Sequence, residues 1–303
     1  MKFIIFLFPF LLLAENIITP IYEVPYNKQK ALLGKKLFFD ASISADGSVS
    51  CASCHDPRYG SSDPRPVSVG VYGKLGIIQS APIYNAVFNF RQFWNGRAKN
   101  LFEQIDGPTH NPVEMGLDNK KIEKFLNNNS VYKKEFQKIY HKDYITYDMF
   151  KDAIVEFEKA MVTPDSKFDL YLKGKAKFTK KELKGYKLFK SFGCITCHNG
   201  VNIGGNSFQK IGVVYPVKNR VGDRYSFTKN PEDKFVYKVP SLRNIALTAP
   251  YFHNAVTYKL SEAVVLMAHY NLGLEPTQEE VDNIVAFLKT LTGKTPIILK
   301  ENN

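Results

Sequence analysis

Apolar residues recur at helical spacing in several separate stretches of the chain. Between Thr146 and Met161 they fall at Phe150, Ile154, Phe157 and Met161, and Thr163-Pro164-Asp165 then stops the pattern. Thr179 and Glu182 form a capping box ahead of Leu183, Tyr186 and Phe189. Thr277 and Glu280 form another, followed by Ile284, Phe287, Leu288 and Leu291, with Gly293 predicted as the stop. Leu260 to Leu266 reads as an apolar helix, and Asp165 to Lys175 as a polar, lysine-bearing crossing. Strand signals are few and short, so the expected fold is mainly α with long irregular loops.

One hexapeptide pattern occurs twice. Leu33-Gly34-Lys35-Lys36-Leu37-Phe38 is echoed by Lys184-Gly185-Tyr186-Lys187-Leu188-Phe189, which implies two related helical domains. The boundary is placed at Thr163, giving domains over 15–163 and 164–303. Residues 1–14 are read as a signal peptide. The apolar run from Phe3 to Leu13 is too short to span a bilayer, and Ala14 supplies a small residue at the cleavage point. That reading predicts export to the periplasm and a mature protein that is not membrane-spanning.

The formal charge of +12 is a strong positive field. Lysines are spread along the chain without an Arg-rich or aromatic-interleaved stripe, so no nucleic-acid partner is expected. An acidic protein partner fits this charge better.

Chemistry is concentrated in the cysteines. The chain has four, in Cys51-Ala52-Ser53-Cys54-His55 and Cys194-Ile195-Thr196-Cys197-His198. Each pair is followed at once by histidine, which is the haem c attachment signature. Thiols at i and i+3 add to the two vinyl groups of one porphyrin, and the next residue offers an imidazole to the iron. Two covalent haems are therefore expected. A four-sulfur zinc site is the competing reading, but it does not require a histidine after each pair.

Further segments carry a family resemblance: Gln92-Phe93-Trp94-Asn95-Gly96-Arg97-Ala98, Gln104, Gly107-Pro108, Asn111-Pro112-Val113-Glu114-Met115-Gly116, Ser241-Leu242-Arg243-Asn244 and Leu247 to His253. Together they resemble the bacterial di-haem cytochrome c peroxidases over nearly the whole mature chain. The resemblance implies two cytochrome c-like haem domains and the reduction of hydrogen peroxide to water with electrons from a small cytochrome c or similar donor. By the same resemblance, His55 ligates the peroxidatic iron, and His198 and Met267 ligate the iron of the electron-accepting haem. A thioether favours ferrous iron and raises the potential, as that role requires. Glu114 matches the proton shuttle and Gln104 the residue that orients peroxide, while Trp94 matches a residue between the haems. His253 belongs beside the second haem without binding iron. His110, His141 and His269 are expected to be surface or structural residues.

The family also implies a homodimer and a calcium ion between the domains. Thr248 and Pro250 match its carbonyl donors, and Ser80, with Gln79 beside it, falls where the family has an amide. Many members cap the resting peroxidatic iron with a histidine on the loop after the first haem motif. Here that loop reads Val69-Gly70-Val71-Tyr72-Gly73-Lys74, with Tyr72 at the matching position and no histidine between Asp56 and Thr109. The expectation is a first iron that is open or water-bound when fully oxidised. Two other readings stay open: a non-catalytic di-haem electron-transfer cytochrome, and a protein-modifying oxidase resembling the methylamine-utilisation di-haem enzymes. The latter carry tyrosine where this chain has Met267.

Overall fold

A computed structural model of the chain describes residues 17–301, and the expected signal peptide lies outside them. The chain is mainly helical. Its first half contains α1 (Lys28–Phe39), the short helices α2 (Leu101–Gln104) and α3 (Asp106–His110), α4 (Asn119–Asn128), α5 (Ser130–Tyr140) and α6 (Tyr147–Ala160). The second contains α7 (Lys167–Leu172), α8 (Lys180–Ser191), α9 (Tyr225–Thr228), α10 (Leu260–Met267) and α11 (Gln278–Lys289). The sheet among the described residues is one antiparallel pair, β1 (Phe208–Lys210) and β2 (Val236–Lys238), with Phe208 opposite Lys238. No helix among the described residues is long and apolar enough to cross a membrane.

The hexapeptide echo has a structural cause: in each half its glycine lies where two helices cross. A Cβ on Gly34 would stand 1.9 Å from the Ala153 carbonyl oxygen of α6, and one on Gly185 would stand 1.8 Å from the Asn283 carbonyl oxygen of α11. Only glycine lets the backbones approach so closely. Phe157 and Phe287 follow at the same place in the two crossings, their Cβ atoms 2.9 and 3.0 Å from those positions. Around the first crossing pack Leu33, Leu37, Phe136, Phe150 and Ile154; around the second, Phe168, Phe189, Phe287 and Leu291.

The capping boxes Thr179–Glu182 and Thr277–Glu280 both form, and Thr146 caps α6. Two expectations need correction. The segment from Asp165 to Lys175 is not merely a polar crossing: Ser166 and Asp169 make a capping box that starts α7, and Phe168 is fully buried. Gly293 does not stop the last helix, which ends at Lys289. It is small because Thr163 presses against it, with the carbonyl oxygen 2.3 Å from where a Cβ would stand.

The halves are latched at Thr163. Its hydroxyl accepts from the Asn85 side-chain amide at 2.8 Å and from that of Asn244 at 2.9 Å, and Asn244 in turn accepts from the Gly293 N–H. The chain ends cross between the halves. Ile18 packs in the second core, whereas Ile298 packs with Phe38 and Phe157 against α1 and α6, where Lys35 Nζ donates to the carbonyls of Ile298, Leu299 and Glu301.

Candidate functional site

The two Cys-x-x-Cys-His motifs fold alike. Each begins with a single 3-10 turn, Cys51–Ser53 or Cys194–Thr196, and the N–H groups of the second cysteine and the histidine both donate to the carbonyl of the first cysteine. The tight turn keeps the two cysteines of a pair close along the backbone, as attachment to one porphyrin edge requires. Ser50 and Ser53 cap the first turn reciprocally; Gly193 enters the second at φ 89°, a left-handed conformation that favours glycine.

All four thiols are free. Burial pushes the Cys51 thiol up to about 12 and that of Cys194 to about 11, as expected for thiols set in apolar surroundings. No cluster of three or more His, Cys, Asp or Glu that could hold a metal ion occurs among the described residues, so the four-sulfur zinc reading has no assembled site.

The histidines fit a haem in the same sense. Burial holds His55 and His198 at about 4, so both rings are neutral and free to bind iron. In each, Nδ1 is enclosed without a hydrogen-bond partner. Around His198 opens a mostly apolar cavity with an empty volume of about 1510 Å³, its mouth included. Cys194, Cys197 and Met267 line it together. Met267 ends a stripe on α10, Leu260, Ala263, Val264 and Met267, whose i, i+3, i+4, i+7 spacing turns one helix face toward the cavity. Two thiols, an imidazole and a thioether on one mostly apolar wall are a donor set that fits a covalently attached haem.

A carboxyl-bearing site lies beside the first motif, near enough for Glu114 to add to burial in raising the Cys51 and Cys54 thiols. The turn from Asn111 to Gly116 is held beneath α3 by Met115 N–H to the Pro108 carbonyl, 3.0 Å, and Leu117 N–H to that of Thr109, 2.8 Å. It presents Glu114, whose Oε1 accepts from the Asn111 amide at 2.7 Å. Burial raises this carboxyl above the ordinary carboxylate range, and Asn111 and Arg97 pull it partly back. The Arg97 guanidinium is 3.4 Å from the Phe93 ring centroid. Gln104, partly buried, closes α2 immediately before α3.

The loop after the first motif docks on this turn, since the Val71 N–H donates to the Glu114 carbonyl at 2.9 Å. Val71 is fully buried, and Tyr72 stands 66% exposed in a left-handed conformation, its N–H on Asp46. Val71 is thus packed in the first core, and Tyr72, at the position matched to the capping histidine, stands at the surface.

Trp94 sits where the halves meet. Its indole N–H donates to the Gln79 carbonyl at 2.8 Å, and its own carbonyl accepts from the Lys238 N–H at 2.8 Å. Its ring meets that of His253 edge-on at 6.2 Å. His253 stacks on Tyr237 at 4.2 Å, with Nε2 3.1 Å from the phenol oxygen, and burial holds it at about 4, so it is neutral. Gln79, Trp94, Thr248 and Pro250 all line the His198 cavity. Ser80 faces elsewhere, its hydroxyl 2.7 Å from that of Ser68. His269 pairs with Glu275 and His110 with Asn119, and neither histidine is on the cavity wall.

Sequence reasoning did not single out Lys238, which lines the same cavity, or Glu158, whose Oε2 is enclosed and unpartnered on α6. Neither lies in a recognisable motif. The signal for Glu158 is its place directly after Phe157, matching Leu288 after Phe287 in the other crossing.

A family model described as di-haem cytochrome c peroxidase matches residues 28–177. The cytochrome c551 peroxidase of Nitrosomonas europaea is 44% identical over 299 residues, covering 96% of this chain and 90% of that protein. That of Pseudomonas aeruginosa is 42% identical over 287 residues, covering 92% and 83%. The methylamine utilization protein MauG of Paracoccus denitrificans is 28% identical, covering 89% and 90%. Among solved structures, a MauG-like protein associated with microbial copper homeostasis superposes with a TM-score of 0.80 at 26% identity, covering 93% of this chain and 95% of the other.

Proposed function

The chain belongs to the di-haem cytochrome c peroxidase family, and from that premise we propose that it reduces hydrogen peroxide to water in the periplasm, drawing electrons from a small cytochrome c or similar carrier. The observation that carries this reading is Glu114: a desolvated carboxyl on a rigid turn beside the first Cys-x-x-Cys-His motif, with an elevated proton affinity.

Two covalent haems, one on Cys51 and Cys54 and the other on Cys194 and Cys197, would supply the redox iron for peroxide cleavage and for electron delivery. The residues divide the remaining work. His55 would hold the first iron, and His198 and Met267 the second. Glu114 takes a proton from the near oxygen of peroxide and returns it to the departing one, for which a carboxyl lifted by burial is better matched to neutral pH than an ordinary one. Asn111 fixes the orientation of Glu114, and Gln104 orients peroxide by hydrogen bonding. Arg97, beside Glu114, stabilises negative charge on the departing oxygen. Trp94 fills the space between the haem sites, tied to both halves through Gln79 and Lys238.

The loop supports a first iron that is open or water-bound in the oxidised protein: it carries no imidazole, and Tyr72, at the matching position, stands at the surface. Calcium fits the boundary through the Thr248 and Pro250 carbonyls, with the Gln79 amide oxygen in the place sequence reading gave to Ser80, because Gln79 lines the shared cavity and Ser80 is engaged with Ser68. A homodimer is carried over from the family.

The test is peroxide-dependent oxidation of reduced cytochrome c by the haem-loaded protein and by Glu114→Gln. The expected result is turnover in the wild type and a loss of about 10²–10⁴-fold in the variant with both haem spectra retained. A wild-type protein that exchanges electrons yet does not consume peroxide would instead establish the electron-transfer reading.

A further inference from the structure

Lys238 closes β2, and its backbone is bonded to Trp94 at the boundary of the two halves. Its side chain is only 6% exposed and lines the cavity that also holds Cys194, Cys197, His198 and Met267. Among the described residues the amine has no acidic partner and no hydrogen bond, and burial alone pulls it down to about 8. A lone buried ammonium is unfavourable unless something of opposite charge joins it.

The cavity's own residues cannot provide that charge. No aspartate or glutamate lines it, and the two histidines on its wall are held neutral. Lys210, the other cation on the lining, is solvent-exposed at the rim. An opposite charge for Lys238 would therefore come with whatever fills the cavity. The group that its two cysteines, histidine and methionine fit is a haem, which carries two propionates along with its apolar macrocycle. An otherwise apolar wall with one buried cation suits such a molecule.

We propose that Lys238 is the ion-pair partner of a propionate of the second haem, and that its charge helps hold that haem at a higher reduction potential than the first. The inference rests on the reading that Cys194 and Cys197 carry a haem. Lys238 is a positioning and electrostatic residue here: it anchors the propionate edge, while its backbone N–H ties the same point to Trp94. A cation near the haem disfavours the additional positive charge of ferric iron, so removing it should shift the balance toward the oxidised form.

The experiment uses the haem-loaded full-length protein and its Lys238→Met, Lys238→Gln and Lys238→Arg variants, followed by spectroelectrochemical titration and resonance Raman. In the two neutral variants the ferric-to-ferrous ratio of the second haem at a fixed applied potential should rise on the order of tenfold. The propionate bending band should move with it, and Lys238→Arg should restore both. A wild-type potential and an unmoved band in the neutral variants would overturn the proposal, as would a shift confined to the first haem. Should the neutral variants fail to mature, a crystal structure of the loaded wild type decides: Nζ within about 3.2 Å of a propionate oxygen supports the pair, and a greater separation ends it. Failure of the underlying reading looks different, since mass spectrometry would then find no covalent haem on Cys194 and Cys197 of the wild type.

Discussion

Arg243 and Asp169 meet at 2.8 Å with both side chains 0% exposed. The pair is a junction. Asp169 also accepts from the Ile21 N–H at 3.0 Å, and Arg243 donates to the carbonyls of Thr19 and Val201 at 3.0 Å each. Three parts of the chain that are remote in sequence are thereby fastened to the second core: the N-terminal strap, α7, and the loop after the second haem motif.

Removing one partner strands a buried charge, which typically costs about 3–5 kcal/mol. Arg243→Met and Asp169→Leu should each lose stability of that order in chemical denaturation of the loaded protein. The double variant should recover a substantial part, because no charge is then left unpaired. Additive losses in the double variant would show that packing, rather than the charge pair, accounts for the effect.

How much of this could be read in advance depended on range. The capping boxes Thr179–Glu182 and Thr277–Glu280 and the two Cys-x-x-Cys-His turns are set by residues within four positions of one another, and they form as expected. Where a distant contact decides, local pattern misleads. Ser166 and Asp169 read as polar linker because a lysine-rich stretch follows, yet Arg243, 74 positions from Asp169, buries them. Gly293 has the look of a helix stop but is dictated by the close approach of Thr163, remote in sequence. Gln79 and Ser80 are adjacent, and only the fold shows which of them lines the cavity. Lys238 and Glu158 belong to residue types that are almost never fully buried, so no sequence argument would place them inside.

The exposed Tyr72 bears on the resting state. Its N–H is anchored on Asp46 at 2.6 Å and its ring lies beside Lys74 at the surface. Tyr72→Phe should therefore leave the electron paramagnetic resonance spectrum of the fully oxidised protein and its first reaction with peroxide unchanged. Loss of a resting signal in the variant would mean that the phenol does reach the first iron. A purely low-spin, bis-histidine signal at that haem in the wild type would sink the open-iron reading altogether.

Glu158 provides a pH-dependent prediction with a definite sign. It follows Phe157 in α6 as Leu288 follows Phe287 in α11, and Leu288 lines the His198 cavity. By the matching geometry of the crossings, Glu158 occupies the corresponding position beside the first motif, where its charge also raises the Cys51 thiol. The side chain is 3% exposed, and burial pushes its carboxyl up to about 8, against an ordinary value of 4.5. Between those values the folded protein keeps a proton that the unfolded chain has released. Stability contributed by this group is thus greatest below about pH 4.5 and falls as pH rises toward 8, by at most about 1.4 kcal/mol per pH unit. Glu158→Gln keeps the shape and cannot ionise. Denaturation of the loaded protein and this variant at pH 5, 6.5 and 8 should give curves that are close at the acid end and diverge upward in pH, with the variant the more stable at pH 8. Other groups titrate in both proteins and cancel in the difference. Parallel curves across that range would show that Glu158 finds a partner in the loaded protein and stays ionised there.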